Sequence, residues 1–560
     1  MLRRQRRIAV LSVCFFFLAA SPGKALDVAV PFVEADFLWA KGYTGAGVEI
    51  GVLDVFEADG SHPALSGNFL GAINFAGGGS LLGSHATEVA GAALSQDAQY
   101  TGVAPGAGLW SGQTAKRSSF TSIRTQTVAA ETFGQGVGQL GGNPVEVISL
   151  SIGINGSTAG TDQWSLALDH IVSTEGRVVT IAAGNSGPAP GTLDGLPTGA
   201  YNAIVVGATG GTGGVISENY AAMAYYSSRG PTIDGRAKPD IVAPGSLIHL
   251  PTLDGAWTTA SGTSFATPIV AGGAALLIDM GRDLGHATDP KVIKSILLNS
   301  ADKLGGWTHT PTSPLDASQG AGQMNLRNAY YQYLPAEQAP GTAAAVGWDL
   351  GELPDSSEVL YSIGAEVAAG KIISATLDWD RIVSTDTEDI ETATYSLARF
   401  SNLDLHLYNA DDLTTPLVSS ISDVDNVEHL YYTVDEPGRY VIGVEMAEGL
   451  PSVMEPYGLA WSVMTDLYSP LILGDLDGDG AVNNNDITPF VLALTDLPAY
   501  HALYGLYGEA AGDIDQDGAL NNNDITPFVA LLTGGTAVPE PASLAALGLG
   551  GLALIRRRRP

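Results

Sequence analysis

Gly45-Ala46-Gly47-Val48-Glu49-Ile50-Gly51-Val52-Leu53-Asp54 is an apolar run that closes on an acid. Its continuous β-branched character reads as a strand buried on both faces, the kind found in parallel sheets. Such a strand delivers Asp54 to the carboxyl edge, where open α/β sheets build their sites. Similar runs follow at Val145 to Ile152, Val178 to Ala183 and Ala203 to Val206, separated by small-residue helical stretches. Residues 45 to 330 therefore read as a parallel sheet with helices on both faces.

Three further stretches share the texture of the first. Ser84-His85-Ala86-Thr87-Glu88-Val89-Ala90-Gly91 opens a helix whose small residues let it approach neighbouring backbone. Ile181-Ala182-Ala183-Gly184-Asn185-Ser186-Gly187-Pro188 carries an amide from a buried strand into a glycine-rich turn. Ala260-Ser261-Gly262-Thr263-Ser264-Phe265-Ala266-Thr267-Pro268 places Ser264 at the start of an apolar helix, whose positive end favours a nearby oxyanion. Taken singly, these are a turn acid, a structural histidine, a turn amide and an N-cap serine. Together they supply acid, base, oxyanion donor and nucleophile.

The chain order Asp, His, Ser is that of the subtilisin arrangement. On these motifs residues about 39 to 330 resemble the subtilisin-like serine peptidases. Gly262-Thr263-Ser264-x-Ala266-x-Pro268 is the most specific match, supported by Gly102-Val103-Ala104-Pro105, Ser227-Ser228-Arg229-Gly230 and Lys238-Pro239-Asp240-Ile241-Val242-Ala243-Pro244-Gly245. The resemblance implies a catalytic Asp54, His85 and Ser264, with Asn185 and the Ser264 N–H as oxyanion hole. It further implies that Ser151, Ile152 and Gly153 face an extended substrate and that Ala183 and Gly184 wall its first pocket. The chain departs from the family pattern at Ala86, Glu88, Val55 and Phe56, none of which removes a reacting group.

From about 341 to 467 apolar and polar residues alternate, as in Ile372 to Trp379 and Val427 to Val434. That is the pattern of an antiparallel β-sandwich. Residues 473 to 534 contain a repeat: Gly474 to Phe490 recurs from Gly512 to Phe528. Asp475, Asp477, Asp479, Asn483 and Asp486, with the carbonyl of Ala481, occupy calcium-loop positions. Asp513, Asp515, Asp517, Asn521 and Asp524, with the carbonyl of Ala519, repeat them. Each loop precedes an apolar helix that would dock on its twin. The pair resembles a dockerin type I domain, a small all-α module, and the resemblance implies a cohesin-type partner. The following residues, Asn484-Asn485 and Asn522-Asn523, differ from the better-known recognition pattern.

The ends read as addresses. Arg3, Arg4, Arg6 and Arg7 precede the apolar run Ile8 to Ala20 and the small-x-small site Gly23-Lys24-Ala25, so residues 1–25 form an export signal. Val538-Pro539-Glu540-Pro541, the apolar Ala542 to Ile555 and Arg556 to Arg559 make a tripartite tail over 538–560. Its apolar part is shorter than the ~20 residues of a comfortable membrane crossing. The tail resembles the PEP-CTERM sorting signal, which implies transient inner-membrane association and removal by an exosortase-like enzyme at delivery to the surface. The stretch from Leu26 to Asp54 is too short for a folded intramolecular chaperone, so the peptidase region 26–335 is expected to fold without one.

Composition narrows the partners. Formal net charge is −33, from 26 basic and 59 acidic residues, which disfavours nucleic acid. Cys14, the single cysteine, lies in the leader, so the processed chain has neither disulfide, thiolate metal site nor cysteine nucleophile. The sequence thus reads as an exported endopeptidase acting on proteins or peptides, with calcium as cofactor. The alternative from another class is a catalytically silent surface adhesion or scaffold protein that keeps the fold.

Overall fold

The computed structural model describes residues 26–116, 121–354, 357–448, 454–465, 473–476, 482–504, 511–515 and 520–532. The export signal 1–25, the sorting tail 538–560 and the loop positions Asp477, Asp479, Ala481, Asp517 and Ala519 lie outside the described residues.

Seven parallel strands form the central sheet. In space they run Phe69–Asn74, Gly108–Gln113, Glu49–Asp54, Val147–Leu150, Val178–Ala182, Ile204–Thr209 and Ile241–Pro244. Alternate residues feed two cores. Ile50, Val52, Val147 and Val178 pack with the helices Ser84–Leu94 and Thr263–Leu284 on one face. Leu53, Ile148, Val179 and Ile181 pack with Ile123–Gln135 and Gln163–Ser173 on the other. Burial on both faces is why the strand sequences are apolar throughout rather than alternating. Thr263–Leu284 is long and apolar enough to cross a membrane, but it is the central core helix here, with Ala266, Ile269, Val270 and Leu276 fully buried.

The segment ahead of the first strand is part of this core. Helices Leu26–Phe32 and Ala35–Ala40, with the turn between them, bury Leu26, Ala29, Val33 and Leu38 completely. Thr44, Gly45 and Ala46 donate their backbone N–H groups to Asp279 Oδ2 at 3.0, 3.0 and 3.1 Å. That carboxylate pins the entry to the first strand onto the core helix.

Antiparallel sheets follow. One has four strands, ordered Val346–Pro354, Met454–Thr465, Lys371–Trp379 and Val427–Thr433. The other has five, Gly341–Ala343, Glu358–Ile363, Tyr440–Glu448, Asn402–Asn409 and Val418–Ser420, with only the Gly341–Ala343 edge pairing parallel. Tyr361, Trp379, Leu405, Ile442 and Trp461 fill the space between them.

The four-stranded sheet lies on helix Pro290–Asn299 through polar groups. Asn299 accepts from Ser374 Oγ at 2.8 Å, and Lys291 Nζ meets Asp380 Oδ2 at 2.9 Å. Arg381, from the link after Lys371–Trp379, pairs with the fully buried Asp169 of helix Gln163–Ser173. Buried charges of this kind require partners, and here each domain supplies the other's.

In the last described part, helices Ile487–Thr495 and Ile525–Leu532 follow two equivalent turns. Phe490 and Phe528 stack with centroids 4.0 Å apart and 14° between planes, so the twin helices do dock.

Candidate active site

Asp54 is the last residue of its strand and 2% exposed. Its Oδ1 accepts the Val55 N–H at 2.6 Å, which leaves Oδ2 for His85 Nδ1 at 2.7 Å. His85 is the second residue of Ser84–Leu94. Ala86, its fully buried neighbour, packs into the core beneath. Phe56 is accommodated because a Cβ on Gly83 would stand only 2.8 Å from the Phe56 Cβ. The bulk added after Asp54 is thus matched by a glycine just ahead of His85.

Burial pulls the His85 pKa down, but the hydrogen bond and charge of Asp54, reinforced by Glu88, leave it above its usual value. Glu88 itself is raised, first by burial. Its Oε1 accepts from Thr252 Oγ1 at 3.3 Å, which holds it one helical turn from His85.

Ser264 is the second residue of Thr263–Leu284, a helix with no side-chain cap. Its carbonyl accepts the Ser151 Oγ–H at 2.8 Å, tying the nucleophile candidate to the strand next to that of Asp54. The ring of Phe265 lies 5.7 Å from that of His85. Ser264 is half-buried, and among the described residues its hydroxyl makes no hydrogen bond. The row is therefore closed between Asp54 and His85 and open between His85 and Ser264, a looseness common where substrate is absent.

Asn185 is exposed at the turn after Val178–Ala182. Its Oδ1 accepts from Thr263 N at 2.9 Å and from Thr263 Oγ1 at 3.2 Å, so the amide is oriented with Nδ2 free to donate elsewhere. A Cβ placed on Gly262 would be 3.6 Å from Asn185 Nδ2 and 3.7 Å from Ser264 N. The side-chain and backbone donors thus border one space. The turn is held by Asp194, whose Oδ2 accepts the Asn185 N–H at 2.8 Å. Gly184 has φ +105°, and a Cβ there would lie 2.4 Å from Asp194.

The remaining positions are mixed. Ile152 is half-buried and Gly153 exposed, and Ile154 pairs with Leu196, so this segment stays at the surface. Ser151 is buried and directed to Ser264. Ala183 is fully buried in the core, with its N–H on Val206 and its carbonyl on Asp194 N. Neither its methyl nor its backbone groups are open to a pocket. Of the two residues that hold Asn185, Thr263 lies in the Gly262-Thr263-Ser264 motif without a role assigned to it there, and Asp194 carries no motif beyond loop polarity.

The profile of the subtilase family matches residues 45–322, and that of the PEP-CTERM protein-sorting motif matches 537–559. Subtilisin DY of Bacillus licheniformis is 31% identical over 279 residues, 49% of this chain and 92% of its own. This chain belongs to the subtilase family. Pyrolysin of Pyrococcus furiosus is 30% identical over 427 residues, 69% of this chain but 28% of pyrolysin. Serine protease AprX of Bacillus subtilis is 30% identical over 309 residues, 51% of this chain and 66% of AprX. The subtilase match coincides with the parallel sheet and its edge; this chain spans less than two thirds of the length of pyrolysin or AprX.

The repeat turns form a second candidate site. Asp486 and Asp524 are fully buried. Asp486 accepts the N–H groups of Leu476 at 2.6 Å and Asn483 at 2.8 Å; Asp524 accepts those of Ile514 at 2.7 Å and Asn521 at 2.8 Å. Asn483 and Asn521 cap the following turns by accepting from Asn485 and Asn523. Ligand atoms of Asp513, Asp515 and Asp524 lie within 4.8 Å of one another. An all-oxygen set suits a hard cation; Asp524 Oδ1 already accepts both Ile514 N and Asp515 N, whereas Oδ2 accepts Asn521 N alone and retains a lone pair.

Proposed function

We propose that this chain is an exported serine endopeptidase that hydrolyses peptide bonds in proteins, with Ser264 as nucleophile, His85 as general base then acid, and Asp54 as its orienting carboxylate. The observation that carries the reading is the 2.7 Å bond from His85 Nδ1 to buried Asp54, which leaves Nε2 as the ring nitrogen available to a second partner. Ser264 Oγ attacks the scissile carbonyl carbon while its proton passes to His85 Nε2. Asn185 Nδ2 and Ser264 N donate to the oxygen as it takes up charge. The C–N bond breaks as His85 returns the proton to the departing amine. Water then repeats the attack on the acyl-enzyme and restores Ser264. Ile152, Gly153 and Gly184 are proposed to line an extended substrate.

The repeat module is proposed to hold two calcium ions through the acidic positions of its loops and to serve as a dockerin-like attachment domain for a cohesin-type partner. Its outer face supports this: Val491 and Val529 are 52% and 50% exposed at equivalent places on the twin helices. The sorting tail supports export, passage through an exosortase-like step and a final place at the cell surface. Domain limits are proposed at 26–335, 341–467 and 473–534.

Hydrolysis of unfolded casein by the full chain, abolished by Ser264→Ala, tests the first claim; a fold that never cleaves in either form would instead be a silent scaffold. Calorimetry of the Ser264→Ala chain should find two calcium sites, one of them lost in Asp513→Ala. No binding heat would remove the metal claim.

A further inference from the structure

Outside the groove lies a second carboxylate–imidazole pair, on the opposite face of the sheet. Glu131 of helix Ile123–Gln135 is fully buried, and its Oε1 meets His170 Nδ1 of helix Gln163–Ser173 at 3.1 Å. Glu131 Oε2 accepts from Gln135 Nε2 at 3.1 Å. Glu175, just past the second helix, completes a trio: ligand atoms of Glu131, His170 and Glu175 all lie within 4.8 Å of one another.

Besides His170 and Gln135, the Tyr395 hydroxyl bonds Glu131, and the Arg177 guanidinium acts on Glu175 through its charge. Among the described residues no lysine or arginine forms an ion pair with Glu131 or Glu175. Arg124, on the same helix as Glu131, gives its guanidinium to the carbonyls of Ala393 and Ile390, each at 2.7 Å. Arg177 donates to Gly134 O at 3.1 Å. Two carboxylates, one of them fully buried, thus converge on a single imidazole with no lysine or arginine at ion-pairing distance among the described residues.

We propose that Glu131, His170 Nδ1 and Glu175 bind a divalent transition-metal ion of the zinc class. One imidazole nitrogen and two carboxylate oxygens are a borderline-soft set with room for a fourth, solvent ligand. Zinc distances of ~2.0–2.2 Å require the trio to tighten. Glu175 is the member that closes, because it is half-buried and lies beyond the helix end. The ion would clamp the two helices at the place where the second domain grips them. Tyr395 packs its ring 5.6 Å from that of His170, and its backbone pairs with the Gln163 side chain through two bonds of 2.9 Å.

The test uses the full-length Ser264→Ala chain saturated with calcium, so that oxygen-only loops are filled before zinc is added. Calorimetry should find a saturable zinc site, and zinc should raise the melting temperature. Glu175→Ala, which leaves the Glu131–His170 pair intact, should weaken zinc binding at least ~10-fold and remove the thermal shift; His170→Gln should do the same. Zinc affinity unchanged in both variants, or no saturable site in the parent, would overturn the proposal and leave a buried ion pair only.

Discussion

Among the described residues, two imidazoles are bonded through Nδ1 to buried carboxylates, and they differ in almost everything else. His85 bonds Asp54 at 2.7 Å with a side chain 41% exposed; His170 bonds Glu131 at 3.1 Å with one 7% exposed. Asp54 ends an inner strand of the sheet, and its imidazole lies beside Phe265, the residue after Ser264. Glu131 sits mid-helix, and its imidazole is covered by Tyr395 of the second domain. The pair alone is therefore not a catalytic signature. What the second nitrogen faces, and whether a reactant can reach it, separates a base from a strut.

The comparison breaks most visibly at Ser264 and His85. Alanine at either should lower turnover on a peptide substrate by about 10⁶-fold while leaving the melting temperature close to the parent's. His170→Ala should do the reverse. Turnover per folded molecule stays unchanged, and urea denaturation loses about 3–5 kcal/mol because Glu131 is left buried without its partner. Comparable kinetic losses at both histidines would erase the distinction drawn here.

Within the groove the effects should descend. Asp54→Asn, which reverses the preferred imidazole tautomer, should cost about 10⁴-fold in kcat. Asn185→Ala removes one oxyanion donor and should cost about 10²–10³-fold in kcat with little change in KM. Glu88→Gln is the mildest. The base must be neutral, so kcat/KM rises with pH through the His85 pKa, which Asp54 and Glu88 hold above 6.5. Removing the Glu88 charge should move that acid limb to lower pH, and an unmoved limb would uncouple the two residues.

The same contrast explains how far sequence reading reached. Strands such as Val147–Leu150 and Ile204–Thr209 were legible because burial on both faces leaves an unbroken apolar run. Asp54, His85, Asn185 and Ser264 were singled out because each stands at a strand or helix end in small-residue surroundings, and the structure bonds Asp54 to His85 and Asn185 to Thr263, next to Ser264. Asp194 was not, nor was the part Thr263 plays within its motif: both act through Asn185, and a residue that orients another needs only a polar atom in the right place. Lys291 and Asp380 escaped for a different reason. In sequence they look like solvated charges, and only the docking of the sandwich on helix Pro290–Asn299 buries them. Ala183 shows the converse, since a strand residue beside a site motif still turned its methyl into the core.

The central claim is that Ser264 is activated by an imidazole that Asp54 orients. A fluorophosphonate probe, followed by peptide mass analysis, reads this directly. The account predicts one adduct per chain, on Ser264, lost in His85→Ala and retained in His170→Ala. An intact chain that takes no label, or that labels equally well after Ser264→Ala, would contradict it.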